Sequence, residues 1–172
     1  TTEERNTLID VAIATAEKSV PIVAATGSQS LFETKVLTEH AVSAGADALL
    51  IVTPYYIRPP QRGIIDYYLE VTIDVDIPWM IYHIPGRAAV SITIDTIKEL
   101  KDRSPNFVGM KHAVNDLGFV SECLAEFPNF KVFVGLEELS FPELAIGAVG
   151  LMNAVGNLRP KILADMCQAV WD

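Results

Sequence analysis

The sequence lacks several features that define whole classes of protein. It has no uninterrupted run of about 18 apolar residues, so we expect no membrane span and no membrane partner. Its start, TTEERNTLID, is polar and lacks the basic-then-apolar pattern of a signal peptide. No Gly-x-Gly-x-x-Gly follows a β-branched run, which disfavours a dinucleotide-binding sheet. These absences predict a soluble protein of the cytoplasm.

Basic residues and cysteines are also scarce. Thirteen Lys and Arg stand against 22 Asp and Glu, which gives a formal net charge of −9. Because no basic patch is available to neutralise phosphates, we expect no nucleic-acid partner. The two cysteines, Cys123 and Cys167, fall in helical patterns and have no metal-like spacing. We interpret them as buried, reduced thiols.

Apolar runs alternate with segments of helical period along the whole chain. Half of the residues are hydrophobic, enough for one sizeable core. We predict that Gly45 ends the second helix and that Thr93 caps the fourth. The predicted strands are 20–26, 47–54, 77–85, 106–111, 131–135 and 149–155, and the predicted helices are 3–18, 30–46, 63–75, 93–103, 116–127, 138–147 (interrupted by Pro142) and 159–170.

This order indicates a parallel sheet. The predicted strands are continuously apolar, which is typical of strands buried on both faces, and strand–helix repeats indicate βαβ units. A doubly wound sheet and a (β/α)₈ barrel both fit this pattern. We predict an α/β fold, namely a TIM (β/α)₈ barrel that is incomplete, with about six of its eight strands. Residues 1–172 would form one partial catalytic domain.

Candidate catalytic groups stand where the predicted strands end, which is where barrels place them. They are an amine (Lys111), three phenols (Tyr55, Tyr56 and Tyr82) and a guanidinium (Arg87). They do not include a metal-binding set of carboxylates and histidines, so we expect no metal and no cofactor. An amine among apolar groups loses its proton readily and can attack a ketone, and a phenol can move protons. The alternative is that Lys111 is a solvated residue that ends its strand.

Four stretches carry a family resemblance. VTPYYIRPP, IYHIPGR, VGMKHAVND and GAVGLMNAVGN, in this order and spacing, resemble the dihydrodipicolinate synthase / N-acetylneuraminate lyase family of Schiff-base barrel enzymes. The stretch from VPIVAATGSQS to LLIVTPYY is similar to the third and fourth βα units of that family. The resemblance therefore extends over essentially the whole chain.

The resemblance implies a role for each candidate. Lys111 would form the imine with pyruvate or another 2-oxo acid, and Tyr82 would relay the proton. Tyr56 would reach across a tight dimer interface to complete the relay of a neighbouring subunit. Arg87 would bind the carboxylate of the second substrate. The family resemblance also implies a homo-oligomer, a dimer of dimers, that uses no cofactor.

The remaining predicted site residues follow the fifth and sixth strands. By the resemblance, Gly135, Met152 and the backbone around Asn153 would line the pyruvate pocket. The family's Gly-Thr-Thr-Gly-Glu motif would precede residue 1, and its C-terminal helices would follow Asp172. We therefore interpret the chain as the middle of a longer enzyme.

Two histidines depart from the synthase pattern and leave the second substrate open. His83 stands where synthases usually have asparagine, and His112 where they usually have glutamate. Because Arg87 is present, the leading hypothesis is condensation of pyruvate with aspartate semialdehyde, a step of lysine/diaminopimelate biosynthesis. The histidines prompt the alternative of a 2-keto-3-deoxy-sugar-acid aldolase, an N-acetylneuraminate lyase or a hydratase-aldolase. A third hypothesis is an inactive fragment or a binding module.

Overall fold

A computed structural model describes all residues from 1 to 172. Its contacts divide the chain into two compact units, Thr1–Val108 and Gly109–Asp172. That residues 1–172 form one catalytic domain stays a prediction.

The first unit contains a three-stranded parallel sheet. Strand β1 pairs with β2, and β2 pairs with β3, each in parallel register. Parallel strands end at the same edge of the sheet, so the residues that follow these three strands are neighbours. The elements of this unit are α1 (Thr2–Ala16), β1 (Val23–Ala25), α2 (Leu31–Ala44), β2 (Ala48–Val52), α3 (Gln61–Val71), β3 (Trp79–His83), α4 (Pro85–Ala88) and α5 (Ile94–Arg103).

An aromatic stack forms the centre of this unit. The Tyr68 ring stacks on Trp79 at 5.4 Å between centroids, and Trp79 stacks on Phe107 at 4.5 Å. The Trp79 indole N–H donates to the Ser104 hydroxyl at 3.0 Å, so its polar atom is satisfied although the residue is fully buried. The stack fixes the start of β3 against helices α3 and α5.

The second unit repeats the arrangement with three further strands. Strand β4 (Phe107–His112) starts at the last two residues of the first unit; from Gly109 onwards it pairs in parallel with β5 (Lys131–Val134), and β5 pairs in parallel with β6 (Gly150–Leu151). The helices of this unit are α6 (Leu117–Glu126), α7 (Ser140–Ala145) and α8 (Pro160–Trp171), with 3-10 turns at Glu137–Leu139 and Ala154–Asn157. None of the helices in either unit combines the length and apolar character that crossing a membrane requires.

The predicted helix ends are confirmed at two positions. Gly45 follows α2 with φ 93°, the left-handed conformation that glycine adopts without strain. The Thr93 side chain accepts a hydrogen bond from the Thr96 backbone N–H and caps α5. Cys123 and Cys167 are buried free thiols, as expected.

Two local predictions are wrong, and one short helix was missed. The sixth strand was expected over 149–155 but ends at Leu151, because the chain then enters the 3-10 turn Ala154–Asn157. Pro142 does not interrupt a helix: it lies in the first turn of α7, where a backbone N–H has no intrahelical acceptor to lose. Helix α4 was not predicted, because its four residues are too few to show a period.

Candidate active site

One cavity of the first unit lies at the edge where its three strands end. Its volume is about 380 Å³. Two predicted site residues, Tyr82 and Arg87, belong to its wall, and so does Tyr55. The wall as a whole combines small and apolar residues with two phenols and one guanidinium; the lining residues are Ala25, Gly27, Leu50, Val52, Tyr55, Tyr82, Ile84, Arg87 and Ala88.

Local packing fixes the turn after β1 that forms one side of this cavity. Gly27 lies so close to β2 that a Cβ atom there would overlap the Val52 backbone. The buried Tyr67 hydroxyl donates to the Ser28 carbonyl at 2.7 Å, and burial raises the pKa of this phenol. Arg5 donates to the Ala25 and Gly27 carbonyls at 2.9 and 3.2 Å. The turn is therefore fixed by its packing against Val52 and by hydrogen bonds from Tyr67 and Arg5.

Tyr56 and Tyr55 occupy different environments although they are consecutive. Tyr56 is 84% exposed and does not line the cavity, whereas Tyr55 does. Tyr56 also adopts φ 73°, a left-handed conformation that is uncommon for a residue other than glycine. Its backbone N–H donates to the Ala88 carbonyl at 3.4 Å, which links this turn to the end of α4. The structure thus brings Tyr55, rather than Tyr56, to Tyr82 and Arg87.

In the second unit, Lys111 and Gly135 lie against each other. Lys111 is the penultimate residue of β4, and Gly135 directly follows β5 and donates its N–H to the His112 carbonyl at 2.7 Å. A Cβ atom at Gly135 would lie 3.1 Å from the Lys111 Cε, 2.7 Å from the Ala113 Cβ and 2.9 Å from the His112 carbonyl oxygen. The absence of a side chain at Gly135 therefore makes room for the lysine.

Two further residues of the second unit follow its strands: Glu137 lies after β5 and Met152 directly after β6. The Met152 N–H donates to the Val134 carbonyl at 2.8 Å, so Met152 continues the pairing of β6 with β5. The Glu137 carboxylate accepts hydrogen bonds from its own backbone N–H and from Val155, and these bonds lower its pKa. The Lys111 charge also contributes to lowering the pKa of Glu137. A carboxylate that stays ionised thus lies near the lysine and holds the turn after β6.

The two histidines that depart from the synthase pattern are engaged in packing. His112 is fully buried: its Nδ1 lies 3.1 Å from a Glu143 carboxylate oxygen, and its ring stacks on Phe119 at 5.7 Å. In the first unit, His83 is buried and its Nε2 accepts from the Ile92 N–H at 3.4 Å. Successive residues of a strand face opposite sides, so each histidine points away from the side chain of the candidate that precedes it.

The predicted site residues leave out two residues of these strand ends. Tyr55 stood beside Tyr56 in TPYY, and the preference for the second phenol came from the resemblance alone. Glu137 follows β5 by three residues, and a carboxylate at a strand end is a signal that could have indicated it. No cluster of three or more His, Cys, Asp or Glu side chains is placed to hold a metal ion.

Comparisons with known proteins agree on one family. The family profile described as "Dihydrodipicolinate synthetase family" matches residues 1–172. The chain is 41% identical over 170 residues to 4-hydroxy-tetrahydrodipicolinate synthase of Thermus thermophilus, which covers 98% of this chain and 57% of that protein. It thus spans a little more than half of the length of such relatives.

Solved structures extend the agreement to the fold. Dihydrodipicolinate synthase from Aquifex aeolicus superposes with a TM-score of 0.96 at 34% identity, covering 99% of this chain and 59% of that one. The synthase from Acinetobacter baumannii, crystallised in complex with pyruvate, superposes with a TM-score of 0.94 at 33% identity, covering 99% and 59%. The predicted α/β fold, a TIM barrel incomplete in this chain, is confirmed.

Proposed function

Because the chain belongs to the dihydrodipicolinate synthetase family, we propose that the protein is a lyase that joins pyruvate to aspartate semialdehyde through a Schiff base on Lys111. The observation that carries the proposal is the placement of Lys111 at the C-terminal end of β4, with its Cε packed over Gly135. The alternative of a solvated residue that merely ends its strand does not account for that packing, since Lys111 is half-buried.

The chemistry assigned to Lys111 is nucleophilic attack on a ketone. The neutral Nζ adds to C2 of pyruvate and gives a carbinolamine, which loses water to form the imine. Loss of a proton from C3 then gives an enamine whose C3 attacks the aldehyde carbon of the second substrate. Each step moves a proton, and the Tyr82 hydroxyl in the wall of the cavity is the group that we assign to this relay.

We assign to Arg87 the binding of the second substrate, which accepts the pyruvate carbon, because Arg87 carries a positive charge. A guanidinium binds a carboxylate through two parallel hydrogen bonds, and Arg87 lines the same cavity as Tyr82. Aspartate semialdehyde carries such a carboxylate. We also propose that Gly135 and Met152 line the pyruvate pocket.

We further propose that the protein acts in the cytoplasm as a homo-oligomer in which Tyr56 serves a neighbouring subunit. The support for this is the exposure of Tyr56, at 84%, on a turn tied to the end of α4. Such a phenol is available to a partner but does not line the cavity of its own chain.

The sugar-acid aldolase alternative is less well supported than the synthase reaction. It was prompted by His83 and His112. His83 accepts a hydrogen bond from the Ile92 N–H, and His112 contacts the Glu143 carboxylate, so both side chains have structural partners. A substrate panel tests the choice: the purified full-length protein is supplied with pyruvate and aspartate semialdehyde, or with 2-keto-3-deoxy-sugar acids. We expect turnover with the semialdehyde. Cleavage of the sugar acids alone would overturn the assigned acceptor, and inactivity towards every substrate would favour a binding module.

A further inference from the structure

The segment that carries Arg87 has few internal constraints. Residues 84–92, here called the Arg87 segment, connect β3 to α5 and contain only the short helix α4. After α4 the chain turns at Ala89 with φ 60° and remains irregular as far as Thr93, the N-cap of α5. Such a segment depends on contacts with its surroundings for a fixed position.

Arg87 itself adds no such contact. Its guanidinium takes part in none of the ion pairs of the structure, and the side chain is exposed where it borders the cavity. A long side chain without a protein partner samples many rotamers. Its reach into the cavity is therefore set by where the backbone of the Arg87 segment lies.

Two side chains from outside hold the far end of this segment. Gln61, the first residue of α3, donates through Nε2 to the Ser91 carbonyl at 2.8 Å. Its Oε1 accepts from the Thr96 hydroxyl at 2.6 Å, which fixes the amide between the segment and α5. His83 accepts from the Ile92 N–H at 3.4 Å. Gln61 makes the two shorter bonds and uses both ends of its amide.

We propose that Gln61 is a positioning residue for the second substrate. By binding Ser91 and Thr96, it holds the Arg87 segment so that the guanidinium can meet the carboxylate of the acceptor. The inference rests on the proposed function, since it assigns to Gln61 an effect on acceptor affinity. It separates the two halves of the reaction, because the hydrogen bonds of Gln61 go to Ser91 and Thr96 and not to Tyr82, the group assigned to the proton relay.

The test compares Gln61→Met with the wild-type full-length protein. Methionine has nearly the same shape but makes neither hydrogen bond. Loss of two neutral hydrogen bonds predicts a rise of about tenfold in KM for aspartate semialdehyde. The rate at which borohydride traps the pyruvate imine should stay within about twofold, and backbone amides of the Arg87 segment should exchange their hydrogens faster.

Two further variants sharpen the comparison. Gln61→Glu keeps an acceptor for Thr96 but places a carboxylate oxygen against the Ser91 carbonyl, so its KM should rise at least as much as that of Gln61→Met. Gln168→Met removes an exposed amide on α8 that bonds to Asp172, and it should leave both readouts unchanged.

The outcomes distinguish the inference from the function on which it rests. A wild-type protein that forms no imine with pyruvate would refute the proposed function and the inference with it. A wild-type protein that forms the imine, together with an unchanged KM or unchanged amide exchange in Gln61→Met, would refute the inference alone. A trapping rate that falls in step with the rise in KM would also refute it, because a general structural defect would then explain both.

Discussion

Replacing Gly135 with alanine tests whether this glycine sets the position of the Lys111 amine. The new Cβ would lie 2.7 Å from the Ala113 Cβ and 2.9 Å from the His112 carbonyl oxygen. It would also lie 3.1 Å from the Lys111 Cε. The first two atoms belong to the backbone or are attached directly to it, so rotation of a side chain cannot relieve the overlap.

The size of the effect follows from these distances. Carbon atoms in contact prefer about 3.5 Å or more, so the pair at 2.7 Å must separate by roughly 0.8 Å. Overpacking of this kind costs about 1–3 kcal/mol of the free energy of unfolding. A displacement of about 1 Å in a reacting group lowers a rate by about 100-fold. We therefore expect imine formation to slow by about 100-fold while the protein still folds.

Borohydride trapping of the pyruvate imine measures the rate, and urea unfolding measures the stability. Gly150→Ala is the matched control within the same unit. Its Cβ would meet only the ring carbons of Phe133 at 3.2 Å, and a small rotation of that ring relieves the contact. Gly150→Ala should trap pyruvate at nearly the wild-type rate. A Gly135→Ala protein that loses stability as expected but traps pyruvate within about threefold of wild type would refute the reasoning.

Two further predictions concern stability. Glu143→Leu leaves the fully buried His112 without its carboxylate partner and should lower the free energy of unfolding, measured in urea, by about 1–3 kcal/mol. Glu122 is an exposed residue of α6, and Glu122→Leu should change that free energy by less than about 0.5 kcal/mol. Equal effects of the two substitutions would contradict this assignment. The Ser28 hydroxyl lowers the pKa of Glu33 from 4.5, so its stabilising effect should be present above pH 4.5 and be lost as the pH falls through the lowered value. The urea midpoints of wild type and Glu33→Gln should accordingly differ at pH 6 and converge as the pH falls below the lowered pKa, and a constant difference would argue against the Ser28 bond.

Strand positions were predictable because strands of a parallel sheet are apolar on both faces. The run 77–85 contains β3, and the run 131–135 contains β5. The run 149–155 led to a predicted strand that is too long, since its apolar residues continue past Leu151 into a turn. That turn is held by Glu137, whose carboxylate accepts from Val155, 18 residues along the chain. A sequence window does not contain such a partner.

For the candidate site, too, some features could be predicted from the sequence and others could not. The positions of Lys111, Tyr82 and Arg87 at or just after strand ends could be predicted from the order of strands and helices, and their roles stay predictions. The environment of His112 could not, because its partner Glu143 lies 31 residues away. The role of Gln61 could not be predicted either, since its contacts with Ser91 and Thr96 depend on how α3 packs beside α5.

The central claim is that Lys111 forms the covalent bond to pyruvate. The direct measurement is to incubate the full-length protein with pyruvate and borohydride, digest it, and locate the reduced adduct by mass spectrometry. We predict one adduct, on Lys111, and none in a Lys111→Arg protein that retains the wild-type melting temperature. The absence of an adduct, or an adduct on another lysine such as Lys131 or Lys161, would contradict the account.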